Sequence, residues 1–316
     1  MAPKGETAAQ QRLLLPGPER AGRRRISFDR AGRRRPPLAP QQKRNPFGSG
    51  IVPLKLALMR AYTLWLGVPL WVPRLLSQAP EPPSDTALAG ITARGRLLAA
   101  YDVAAWHATD GILALKPTES DLNVSVALRA PDARWTVLFG RVPATKDTFF
   151  IRYRATQGGA DTAFIVQRYS EGQVLGGLEL ELAAAVLTAK EDFGDFQRPY
   201  NTYALPATPS GVWVYLLPAQ TSSDILPHGG DIRYHIVAGG RTILTKHRFH
   251  RAILNQALPS EAVGGFHTSF DSLPADTDVF LVLRRRPLKP ELIATEHFHF
   301  QVHVDGQLTW VPAKKP

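Results

Sequence analysis

The feature that most constrains the fold is a succession of short segments rich in β-branched and aromatic residues, each bounded by turn formers. LNVSVALRA, RWTVLFGRV, TFFIRYRAT and TAFIVQRYS follow one another between residues 122 and 170, separated by Pro131-Asp132 and Gly158-Gly159. Such spacing predicts four antiparallel strands in a meander. The pattern returns downstream in NTYALPA, GVWVYLLPAQ, DIRYHIVA, RTILTKHRFHRAI, GGFHTSFD, TDVFLVLRR, HFHFQVHV and QLTWV. Asp305-Gly306 lies between the last two, and this dipeptide takes the positive φ values of a tight hairpin. Gly239-Gly240 predicts a similar hairpin.

Two segments break the pattern. LLAAYDVAAWHATDGILAL sets Leu98, Tyr101 and Ala105 on one helical face, with Gly111 as its stop. GGLELELAAAVLTAKEDF alternates leucines at its start, but its Ala-rich continuation and the placing of Glu179, Glu181 and Lys190 along a helix dipole predict a helix. The fold class is therefore α+β, mainly antiparallel β meanders with two or so helices. The order helix, strands, helix, strands suggests two halves divided near 176–196, although no residue-level repeat accompanies it.

The net charge of +11 is concentrated at the start. Residues 1–58 carry 13 Lys and Arg against Glu6, Glu19 and Asp29, which leaves 25 basic and 24 acidic residues for everything after. The body of the chain therefore shows no polyanion signature, and no nucleic-acid partner is expected for it. Residues 1–58 read as a disordered basic leader, since 1–50 recur in Pro, Gly and Arg without an apolar period. From Met59, MRAYTLWLGVPLWVPRLLSQA has the charged start, uncharged core at 61–73 and small residues of a secretory signal, and the core is too short to span a bilayer. Ser77-Gln78-Ala79 offers small residues for cleavage but is followed at once by the unfavourable Pro80, whereas Ala87-Leu88-Ala89 fits the small-x-small pattern better and lies far from the apolar core, so the mature start falls between about residues 80 and 90. Met59 then reads as the biological start. A transit peptide, a twin-arginine signal around Arg23-Arg24 or a basic arm is the alternative if Met1 is used. Residues 80–94 read as a Pro-rich linker, and 95–316 as the exported domain, periplasmic or extracellular.

The segments VWVYLLPAQT, GGDIRYHI, GGRTILTKHRFHRAI, FHTSF and PADTDVFLVLRRRP, together with AAYDVAAWHATDGILALKP, resemble an uncharacterised family of exported bacterial proteins. The likeness spans most of residues 95–311. It implies an export signal followed by one compact domain, and it brings no activity and no functional residue.

Cysteine is absent, which excludes disulfides, thiolate nucleophiles and Cys-ligated metal. No GxSxG elbow, HExxH, P-loop or GxGxxG in a strand-to-helix setting occurs, so the leading reading is a non-catalytic binding or structural module for an envelope ligand or protein. The alternative rests on HFHFQVHV. On a strand His297, His299 and His303 would share one face while Phe298, Phe300, Val302 and Val304 enter the core. Such a face could hold zinc or another divalent transition metal, and the same alternation also describes an ordinary solvent-facing strand. His247 and His250 could join only if their strand lies adjacent. Arg284-Arg285-Arg286 reads as a solvated strand end that discourages edge pairing.

Overall fold

The structure, a computed structural model, describes residues 80–117, 122–194, 197–222, 225–255 and 259–313, which belong to one compact unit. The basic leader and the signal-like segment fall outside the described residues. Three helices and fourteen strands follow in the order α1 (Asp85–Leu113), β1 (Val124–Arg129), β2 (Trp135–Arg141), β3 (Phe149–Gln157), β4 (Phe164–Leu175), α2 (Gly177–Phe193), β5 (Tyr200–Pro206), β6 (Val212–Pro218), β7 (His228–Gly229), β8 (Ile232–Val237), β9 (Thr242–Arg248), β10 (Ile253–Leu254), β11 (Gly265–Thr268), α3 (Asp276–Arg284), β12 (Glu291–Ala294), β13 (Phe298–Val302) and β14 (Leu308–Pro312). The α+β class dominated by antiparallel sheet is what the strand pattern anticipated.

Strands β1 to β4 form an antiparallel meander, and β5, β6, β8 and β9 form a second one. Gly239 and Gly240, both at positive φ, turn β8 into β9. The third sheet runs β11-β12-β13-β14, with β11 parallel to β12 and the rest antiparallel. A two-stranded ribbon pairs β7 with β10.

The central strand β6 of the second meander is buried on both faces, while the edge strands β4 and β9 are largely exposed. Along β6, Tyr215 and Leu217 enter a core built on α1, while Val212, Val214 and Leu216 enter a core built on α2. Double burial accounts for the continuous apolar run VWVYLLP, which lacks the polar alternation of a one-sided sheet. A third core joins Leu88 and Ile91 of α1 to Val279 and Val282 of α3 and to Ile293, Phe300 and Val302 of the last sheet.

Helix α1 begins at Asp85, so the segment read as a linker to residue 94 supplies its first turns. Ser84 caps it by accepting a hydrogen bond from the Ala87 N–H at 3.2 Å, and Asp85 suits the positive end of the helix. Burial of Leu88 and Ile91 then holds the segment in helical form. Helix α3 is a second correction, because TDVFLVLRR reads as a strand. Its apolar run shows no decisive period, but Asp276 and Asp278 occupy a first helical turn, and the Asp278 Oδ2 accepts from the Ala275 N–H at 2.8 Å. Packing on α1 completes the choice. Gly95 of α1 meets α3 so closely that a Cβ there would strike Val279 and lie 2.6 Å from the Asp276 carbonyl oxygen.

No helix among the described residues is long and apolar enough to cross a membrane.

Candidate metal centre

Four elements bring three histidines and one aspartate to a single point. His228 stands on β7, His250 in the loop after β9, His267 on the edge strand β11, and Asp278 in the first turn of α3. Their ligand atoms all lie within 4.8 Å of one another, and among the described residues this is the one such group of His and carboxylate side chains.

The local chain explains each placement. Gly229 and Gly230 both take positive φ immediately after His228. A Cβ at Gly229 would meet the Ala252 carbonyl and lie 3.1 Å from His250 Cβ, so the bare backbone lets the two histidines approach. Parallel pairing of β11 with β12 sets His267 opposite Ile293 and leaves Glu291 beside Gly265, within reach of His267. Capping of α3 fixes Asp278 by its Oδ2 and turns Oδ1 toward the imidazoles.

Asp278 Oδ1 lies 3.3 Å from His250 Nε2, 3.4 Å from His267 Nε2 and 3.9 Å from His228 Nε2. Four donors placed tetrahedrally about 2.0–2.1 Å from one zinc ion stand about 3.3 Å apart. The Asp278 Oδ1 distances to His250 and His267 therefore match two edges of a tetrahedral N₃O shell, His228 stands about half an ångström farther out, and all four donors lie within 4.8 Å of one another. The rings meet edge to face, with centroids 4.4–5.2 Å apart.

Hydrogen bonds behind the ligands choose which nitrogen faces inward. His250 Nδ1 is 2.7 Å from Asp231 Oδ1, and His267 Nδ1 is 3.0 Å from Glu291 Oε1. An imidazole that donates its Nδ1 proton to a carboxylate presents the Nε2 lone pair, the arrangement found behind metal-bound histidines. The carboxylates are held in turn. Thr277 donates to Asp231 Oδ2, and Arg285 NH1 donates to Glu291 Oε2 at 2.7 Å.

The interior of the cluster is unsatisfied. His228 Nε2, His267 Nε2 and Asp278 Oδ1 are buried without a hydrogen-bond partner, and the 3.3 Å approach of His250 lacks hydrogen-bond geometry. Each such atom costs about 1–3 kcal/mol when left unpaired, so three at one point call for a shared partner. Titration behaviour agrees with a cluster tuned by burial and charge. Burial, reinforced by His267, pushes His228 down to about 4, so it is neutral at physiological pH. Burial also opposes charging of His250, but the carboxylates of Asp231 and Asp278 outweigh it and push this imidazole up to about 10. Burial would raise Asp278, yet His250, His267 and His228 hold its carboxyl below the ordinary value. Without an ion, a charged His250 between two carboxylates is the best internal compensation available, and it leaves the other atoms unmatched.

The histidines singled out in HFHFQVHV are not gathered. Phe298, Phe300 and Val302 enter the core as alternation requires, but β13 ends at Val302 and Val304 is exposed in the following turn. His297 precedes the strand, His299 sits on its outer face opposite Val311, and His303 Nε2 is 2.9 Å from Thr309 Oγ1. Neighbouring same-face positions on a strand are about 7 Å apart and His303 lies about 20 Å from His297, too far for one ion. Of the two conditional additions, His250 joins the centre from a different neighbour set, while His247 pairs with Asp271 at 2.8 Å. The arginine run is also reassigned. Arg284 binds Asp102 at 2.6 Å and Arg285 binds Glu291, so two of the three are structural ion pairs ending a helix. His228, His267 and Asp278 escaped sequence reading because each is the single ligand on its element; the visible signals were His-Gly-Gly-Asp at 228–231 and the DTD of the α3 first turn.

Comparison with family models, curated proteins and solved structures finds no match.

Proposed function

We propose that this domain binds one divalent transition-metal ion, zinc by preference, through His228, His250, His267 and Asp278. The observation that carries the reading is the convergence of buried, unpartnered Nε2 and Oδ1 atoms within 4.8 Å of one another, with Oδ1 at 3.3 and 3.4 Å from two imidazole nitrogens. Three imidazoles and one carboxylate in that geometry suit zinc better than magnesium or calcium, which take oxygen-rich, higher-coordinate shells. The ion ties β7, the β9–β10 loop, β11 and α3 together, elements that share little backbone pairing. Metal analysis of protein purified without a polyhistidine tag tests this: one tightly held zinc per chain is expected, and a chain that neither retains nor takes up zinc, copper or cobalt contradicts it.

The domain is proposed to act in the cell envelope after export. The signal-like grammar of residues 59–79 supports this, and a metal site free of thiolates is compatible with an oxidising compartment. Cleavage after Ala79 would leave the Ser84 cap and Leu88 of α1 intact, whereas cleavage after Ala89 would remove both. The native mature N-terminus, read by sequencing, is expected at residue 80, and retention of residues 1–58 would overturn the export reading.

A further inference from the structure

An open groove of about 390 Å³ lies between the start of α1, the end of β9 and the first turn of α3. Its size falls within the range of small-molecule sites, and none of the four metal ligands lines it. Ile91, Phe249 and Leu273 contribute apolar walls, while Arg94, Arg233 and Asp276 form one charged group on its lining. Gly95 lets α1 approach the first turn of α3 closely, which brings the adjacent Arg94 to Asp276. On the second meander, Arg233 of β8 stands opposite Tyr215 of β6 and His247 of β9. Its guanidinium carbon lies 4.7 Å from the Trp213 ring centroid and 5.0 Å from that of Phe249, so two aromatic rings hold the cation in place.

Asp276 has two cationic partners where one would balance it. Its side chain is 1% exposed. Arg94 donates to Oδ1 from Nε at 3.0 Å, with Nη2 at 2.9 Å, and Arg233 donates from Nη1 to Oδ2 at 2.5 Å. The Tyr215 hydroxyl also donates to Oδ2, at 2.7 Å. The group of three therefore carries one positive charge in excess. Asp271, the other acid on the groove, is engaged by His247 at 2.8 Å. Among the described residues, Arg94 Nη1 and Arg233 Nη2 donate to no carboxylate. The excess charge is partly withdrawn from water, because the Arg94 side chain is 37% and the Arg233 side chain 22% exposed. Such a cation pair, with spare donors on a groove, is compensated best by an oxyanion, which accepts from planar guanidinium forks.

We propose that this groove is an anion site that takes a small oxyanion, a carboxylate or phosphate group, on Arg94 and Arg233. Asp276 holds the two guanidiniums side by side and neutralises one of them, and the bound anion neutralises the other. The site shares no ligand with the metal centre and does not rest on the zinc reading.

The test titrates acetate and, separately, inorganic phosphate into the protein at pH 7, with chloride at equal ionic strength as the control. Binding is read from the assigned arginine Nε–H signals in nitrogen-15 NMR spectra, which separate this groove from arginines elsewhere in the chain. At least one of the two oxyanions should shift the Arg94 and Arg233 signals together and saturably, with a dissociation constant below about 10 mM, and the tighter of the two identifies the source. Arg94→Gln leaves Arg233 to balance Asp276 and removes the excess charge, so the affinity read at Arg233 should fall at least about tenfold. Arg94→Lys restores the charge and should bring the affinity back to within about threefold of the wild type, which a purely structural role for Arg94 would not produce. No saturable shift with either oxyanion, an equal response to chloride, undiminished binding in Arg94→Gln, or binding in Arg94→Lys no tighter than in Arg94→Gln each overturns the proposal. If Arg94→Gln does not fold, the wild-type titrations against chloride decide it alone.

Discussion

Replacing Asp278 by Asn separates metal binding from folding more cleanly than any other single change. The substitution is nearly isosteric, and an amide oxygen can still accept the Ala275 N–H that Oδ2 accepts at 2.8 Å, so the α3 cap survives. What disappears is the anionic Oδ1 that lies 3.3 and 3.4 Å from two imidazole nitrogens. Linkage gives the magnitude: an ion present at a hundred times its dissociation constant and bound only by the folded state stabilises by about 2.7 kcal/mol. For a domain of this size, each kcal/mol moves the melting temperature by about 2–4 °C, so zinc should raise the wild-type melting temperature by about 5–10 °C. In Asp278→Asn the increment should fall below about 2 °C, with the metal-free melting temperature close to that of the metal-free wild type, whose His250 retains Asp231 as a partner. Differential scanning fluorimetry after chelation and dialysis, with and without added zinc, measures both quantities. An unchanged zinc increment in the variant would show that the stabilising ion sits elsewhere.

Glu291→Gln leaves all four ligands in place but weakens the acceptor behind His267, so zinc affinity should drop about 10- to 100-fold in competition with a chromophoric chelator, with stoichiometry still one. Gly95→Leu drives a side chain into Val279 and the α3 backbone; a loss of at least about 1–3 kcal/mol in denaturant unfolding is expected, accompanied by weaker zinc binding because α3 carries Asp278. Acid should act on the site in two ways. His228 is lowered in the fold to about 4 from an ordinary 6.5, so the stability gained by keeping it neutral is complete above about 6.5 and lost as pH falls toward 4. His250 has the opposite sign in the metal-free protein: its contribution is full below about 6.5 and fades as pH rises through about 10. Protons also compete with zinc for the imidazoles, so the zinc-induced rise in melting temperature should shrink steadily below pH 6.5 in a pH series.

The two meanders were legible because β-branched residues and Gly or Pro punctuation are local signals, and helix α2 because its alanines and dipole-matched charges outweigh three alternating leucines. Helix α3 was not legible for a physical reason. Val279 to Leu283 is buried nearly all round, which erases the period that would separate strand from helix, and only the acidic first turn betrays it. The start of α1 was hidden by the adjoining prolines, although Ser84 and Asp85 form a recognisable cap. The histidines drew attention where they are dense, on β13, yet density along a strand sends alternate side chains to solvent. The convergent group comes from single residues on β7, β11, α3 and a loop, and its assembly depends on β7 pairing with β10, on β11 lying parallel to β12 and on the Gly95 contact, all long-range choices. Dependence on Gly229 and Gly230 shows the same thing: HGGD carries a local cue, but nothing in it says which other histidines will be met.

The central claim is the identity of the shell, and anomalous diffraction at the zinc edge tests it most directly. A single strong peak about 2.0–2.1 Å from Nε2 of His228, His250 and His267 and from Oδ1 of Asp278 is the expected result. A peak at His297, His299 or His303, or no peak in crystals of zinc-loaded protein, would contradict it.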